Sequence, residues 1–127
     1  MAVIDPFRAR VLALTAATED YAGFYELLWE LNTQWPDASA AEKLSAARST
    51  LTRLLEEGLV DVYFTKWMSD DLERVPHPRA IELVGEDASW KTPDEQPERR
   101  YPAFTTNEAG ERAYRALPAE AFEGLWG

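Results

Sequence analysis

Apolar residues recur at helical spacing over three stretches of this chain and crowd into short extended runs elsewhere. Asp5-Pro6 pairs an acidic cap with a proline at the first helical position, and Phe7, Val11, Leu12 and Leu14 follow. This predicts a first helix to about Ala17. Thr18 can cap a second helix over 19–33, with Glu19 and Asp20 at its positive end. Tyr21, Phe24, Tyr25, Leu27, Leu28, Trp29 and Leu31 make that segment apolar on more than one face, as a central helix is. Trp35-Pro36 ends it. Ser39 caps a short helix through Ala40, Ala41 and Leu44, and a further helix is predicted over about 46–57. There Ala47, Leu51, Leu54 and Leu55 fall on one face. Gly58 supplies the positive φ that stops it, and Leu59 to Phe64, rich in β-branched and aromatic residues, reads as a strand.

Beyond Trp67 the periodicity weakens. Met68 to Arg79 is polar, holds prolines at 76 and 78, and reads as a loop. Ala80, Ile81, Leu83, Val84 and Ala88 fit a short helix after Pro78, although the Ile81/Leu83 alternation also suits a strand. Lys91 to Arg100, with Pro93, Pro97 and acids between them, reads as a mobile loop. Arg100 to Phe104 returns as a strand. Thr105 and Glu108 have the spacing of a capping box for a helix over 106–117, which Pro118 stops. Phe122, Leu125 and Trp126 close the chain with an apolar cluster. A homodimer is expected, through the first helix, the Phe122–Trp126 cluster, or both, because a terminal apolar cluster left in water is unusual for a monomer. The other tryptophans are expected mostly in the core.

The run from Arg48 to Val60 (RSTLTRLLEEGLV) resembles the recognition helix and first wing strand of winged helix-turn-helix proteins. Phe104 to Tyr114 resembles the strand that leaves the wing and enters the closing helix of that family. The resemblance implies one α+β domain over 1–127, mostly helical, with a small antiparallel hairpin as its wing. Its helix-turn-helix would span about 37–58, its wing about 59–105 and its closing helix about 106–117. The segment between the wing strands is far longer than a simple hairpin and strongly acidic, a departure from the family pattern.

Charge cuts against the function that the family first suggests. The 127 residues carry 13 bases and 23 acids, a net charge of -10. Residues 37–66 hold 4 bases and 5 acids, whereas residues 67–99 hold 4 bases and 9 acids. A phosphate backbone repels such a wing. The resemblance implies a DNA-binding regulator that uses Lys43, Arg48, Ser49, Thr52 and Arg53. The charge balance favours a protein-interaction module instead, with Glu86, Asp87, Glu95 and Glu98 holding a basic protein partner. The DNA-binding regulator is the leading expectation, because the helix-turn-helix phrase is the better-defined signal, and the interaction module is its alternative; DNA and a basic protein are therefore the two partners expected.

The remaining chemistry is sparse. No cysteine is present, which excludes disulfides, cysteine-ligated zinc and thiol nucleophiles and suits a reducing cytoplasm. His77, alone and between two prolines, finds no nucleophile elbow, phosphate loop or dinucleotide fingerprint to work with. The expectation is a non-enzyme without metal or cofactor, with neither signal peptide nor membrane span, in the cytoplasm.

Overall fold

The computed structural model describes residues 3–66, 71–93 and 99–125. Its helices are α1 (Pro6–Glu19), α2 (Phe24–Gln34), α3 (Ala40–Glu56), α4 (His77–Gly85) and α5 (Glu108–Arg115). Its strands are β1 (Ala22–Gly23), β2 (Val60–Lys66), β3 (Leu72–Val75) and β4 (Arg100–Thr106). Short 3-10 turns occupy Asp87–Trp90 and Ala119–Phe122. The strands form one antiparallel sheet in the order β1-β4-β2-β3, with Val62 facing Phe104 on one side and Val75 on the other. The fold is thus α+β.

Local chemistry explains most boundaries. The Asp5 carboxylate accepts from the Phe7 amide at 2.9 Å, and Pro6 opens α1 as expected. Ser39 and Glu42 make a reciprocal capping box at the start of α3. At its end Gly58 takes φ +72°. The Leu59 amide then donates to the Leu54 carbonyl at 3.0 Å and the Gly58 amide to that of Leu55 at 3.0 Å, the paired bonds of a Schellman stop.

Four expectations need correction. The short helix at Ser39 and the helix over 46–57 are one continuous 17-residue α3, so no turn divides residues 40–56. Nothing there breaks a helix, since the run holds neither glycine nor proline and is mostly alanine, leucine and charged residues of high propensity. The second helix begins at Phe24 rather than 19. Thr18 stays inside α1, and Ala22–Gly23 pairs with Ala103–Phe104 instead of coiling. Gly23 has low helix propensity, and the sheet satisfies its backbone. Leu72–Val75, expected as loop, is an edge strand of which only Val75 is buried.

Thr105 is no cap. It lies in β4, paired with Asp61, and its hydroxyl donates to the Ala17 carbonyl at 3.1 Å. Asn107 caps α5 in its place. Its side-chain oxygen accepts from the Gly110 amide, and its Nδ2 donates to the Gly58 carbonyl, both at 2.9 Å. Gly110 must be glycine here, because a Cβ would sit 2.0 Å from the Leu59 carbonyl oxygen. The start of α5 is thereby fastened to the turn that ends α3.

One core joins these elements. Leu51, Leu54 and Leu55 are buried with Leu31, and Leu28 packs at the edge. Val11, Leu12 and Leu14 of α1 fill the centre beneath Val60, Val62 and Phe104. Trp90 is buried against Phe24, its ring centroid 5.1 Å away, and its indole N–H donates to the Val84 carbonyl at 2.9 Å. Trp35 is partly buried, whereas Trp29 is 51% exposed. Leu125 is buried and Phe122 stacks edge-on with Tyr114, so this part of the terminal cluster folds back on the domain. Trp67 and Trp126 lie outside the described residues.

Candidate functional site

The five residues expected to meet DNA all belong to α3, but they do not share a surface. Ser45, Ser49 and Arg53 recur at i, i+4 and i+8 and stand exposed on the side toward α1. Lys43 and Thr52 are half-buried. Arg48 turns toward α4. Its Nε donates to the Val84 carbonyl at 3.1 Å, and one Nη donates to the Gly85 carbonyl at 3.3 Å and to the Asp87 carboxylate at 2.6 Å. Arg48 therefore caps the negative end of α4.

The acids of the proposed protein-binding site are also paired within the chain. Asp87, expected to hold a partner, is the ion-pair partner of Arg48, and Glu86 pairs with Arg79 at 2.5 Å. Glu95 and Glu98 lie outside the described residues. Among the described residues, seven of the 13 bases make ion pairs within the chain: Arg10, Arg48, Arg74, Arg79, Arg100, Arg112 and Arg115. On α3 only Lys43 and Arg53 have no such pair among the described residues.

Two concave features among the described residues lie at opposite ends of α1. The larger is a cleft of about 890 Å³ between the start of α1 and the outer side of α3. Ile4, Phe7, Ala41 and Ala46 give it apolar walls, and Ser49 and Arg53 stand on its α3 side. Arg10, also on the wall, is held by Glu57 through a two-toothed ion pair of 2.5 and 3.2 Å.

The smaller hollow, about 160 Å³, lies where α1 ends and α2 packs back on it. Glu19, Asp20, Glu26 and Glu30 line it. Burial, then the charges of Asp20 and Glu30, push the Glu26 carboxyl above its ordinary range, against the opposing pull of a 3.2 Å bond from the Tyr25 hydroxyl. Tyr25 and Tyr101 are raised too, chiefly by burial and then by Glu26. Exposed Trp29 packs edge-on against Tyr25 at 4.9 Å, and exposed Tyr21 lies 5.4 Å from Tyr63. A hollow lined by four acids suits an ammonium or guanidinium group.

The sequence alone hides this hollow, because a single helix over 19–33 sets Glu19 and Glu30 eleven residues apart, ~16 Å along its axis. The bend at Asp20–Gly23 gathers them. Only Gly23, two residues before the Tyr25-Glu26 pair, hinted at the break. Among the described residues no group of three or more His, Cys, Asp or Glu is placed to hold a metal ion. None of the described helices is long and apolar enough to cross a membrane. Comparison with family models, curated proteins and solved structures finds no match.

Proposed function

We propose that this chain is a winged-helix-type recognition module, working by binding rather than catalysis, and that its partner is a basic protein segment. The element order α1-β1-α2-α3-β2-β4, with β4 between β1 and β2, supports the winged-helix reading. The inserted β3–α4 segment would then enlarge the wing. The observation that carries the functional reading is the distribution of charge: most cations are tied to acids of the same chain, while Glu19, Asp20, Glu26 and Glu30 crowd one hollow. A lysine or arginine entering there relieves repulsion among like charges.

The DNA reading is favoured by one feature, the exposed Ser49 and Arg53 on α3. Its magnitude is against it. Affinity falls with salt by a slope of about 0.9 per neutralised phosphate, and tight binders make ~6–10 such contacts. Lys43 and Arg53 supply two.

Titration of the isotope-labelled chain with an oligoarginine peptide, followed by NMR, tests the proposal. Shifts should gather at Glu19, Asp20, Glu26, Glu30 and the Trp29 indole. Replacing Glu26 and Glu30 together by glutamine should weaken binding about fivefold, as loss of one or two exposed charge contacts implies. The pair Glu82→Gln and Glu86→Gln should leave it unchanged. Shifts centred on α4, or an equal loss in both variants, would overturn the assignment.

A further inference from the structure

The cleft between α1 and α3 is not used by the basic-partner reading, since the acidic hollow lies at the far end of α1. We propose that this cleft is a binding site for a small anionic amphiphile, a free carboxylate on an aliphatic body. Two properties of its lining point to that class of ligand.

The first is an apolar wall left in water. Val3 is 78% exposed and Phe7 47% exposed, and both line the cleft. Opposite them α3 presents Ala41 and Ala46, whose short side chains leave the space open. The volume of about 890 Å³ falls within the ~300–1,000 Å³ usual for sites that enclose small ligands. Exposed apolar area concentrated in one hollow marks a place where an apolar group is gained from water.

The second is the placement of charge. Of the three charged residues lining the cleft, two are engaged within the chain. Arg10 is neutralised by Glu57, and the Glu42 carboxylate accepts from the Ser39 amide at 3.2 Å. Arg53 lines the cleft, is exposed, and makes no ion pair among the described residues. Glu42 and Arg53 are eleven residues apart on α3, which is ~16 Å along a helix axis. Arg53 thus leaves one cation without an ion pair among the described residues at that end of the cleft, despite the net charge of -10. Its guanidinium fork suits a carboxylate, and the Ser49 hydroxyl stands one turn away to donate a further bond. The aliphatic body then runs back along Ala46 toward Phe7 and Val3. A ligand so placed covers the face of α3 that a nucleic acid would have to approach.

The experiment uses the whole chain and monomeric decanoate, below its micelle concentration, in an NMR titration. Saturable shifts should map to Phe7, Ser45, Ser49 and Arg53. Decylamine should bind at least tenfold more weakly. Arg53→Ala should cost about tenfold, the lower end of the value of a charge-assisted hydrogen bond, and Arg53→Lys should recover much of it. Phe7→Ala should weaken decanoate without restoring decylamine. All three substitutions are at exposed positions, and unchanged spectra elsewhere will show that the fold is kept. Equal binding of decanoate and decylamine would overturn the proposal. So would an Arg53→Ala variant that binds as the parent does. Anionic phospholipid vesicles that shift the same residues more strongly than decanoate would assign the cleft to a membrane surface instead. Shifts of these residues on simple dilution, with sedimentation showing a dimer, would assign it to a second copy.

Discussion

Arg48 and Asp87 stand far apart in the chain, carry opposite charges and meet at 2.6 Å. Read alone, each belongs to a rival surface, the arginine to a nucleic-acid face and the aspartate to a protein-binding one. Neither assignment could be corrected from the sequence, because the pairing depends on how α4 packs against α3, and no local pattern encodes that distance. The two partners are not equivalent. The Arg48 side chain is 30% exposed and that of Asp87 87% exposed. Arg48 also holds the last carbonyls of α4. Arg48→Ala should therefore destabilise the fold by about 1.5–3 kcal/mol, the range for hydrogen bonds to a charged group. Asp87→Asn should cost less than about 1 kcal/mol, as exposed ion pairs do. Urea unfolding of both variants checks this, and equal losses would contradict it. Glu26 offers a second test. Its carboxyl titrates above the ordinary range, so over that window the native state keeps a proton that the unfolded chain has released. Stability should therefore fall as pH rises through the window and stay lower above it. Glu26→Gln should flatten this slope between mildly acidic and neutral pH. An unchanged slope would show that other groups set it.

At the scale of elements, legibility followed local chemistry. Both ends of α3 could be read, because Ser39 and Gly58 act on their immediate neighbours. The seam of Leu51, Leu54 and Leu55 could be read as well, since burial of one helix face imposes its own period. What failed was whatever a distant strand decides. Ala22–Gly23 becomes β1 only because β4 is there to pair with it, and the edge strand β3 exposes three of its four residues and so has no hydrophobic alternation. Thr105 fitted a capping box by spacing, but pairing with β2 extends β4 through Thr106 and hands the cap to Asn107. Asn107→Ala should cost ~1–2 kcal/mol by loss of the cap and of its bond to the Gly58 carbonyl. Leu54→Ala, in the fully buried seam, should cost ~2–5 kcal/mol. Chemical denaturation ranks the two, and a reversed order would mean that α3 is less well packed than its burial implies.

At the scale of the whole molecule, the acid surplus could be counted in the sequence, but its arrangement could not. Residues 67–99 hold the densest run of acids, yet Glu73, Glu82, Glu86 and Asp87 are each paired with an arginine. The hollow at the join of α1 and α2 draws on acids from two helices and the bend between them. Composition therefore indicated a basic partner, while the location needed the fold. The cleft was hidden for the same reason, since Phe7 and Arg53 become neighbours across a hollow only when α1 lies along α3. The central claim is that this scaffold binds a basic protein segment and not DNA. Fluorescence anisotropy of random-sequence and genomic DNA pools, at about 50 mM salt where phosphate contacts are strong, tests it most directly. The account predicts no binding at high micromolar protein. Saturable binding that weakens steeply with salt, and is lost when Lys43 and Arg53 are both replaced by alanine, would contradict it.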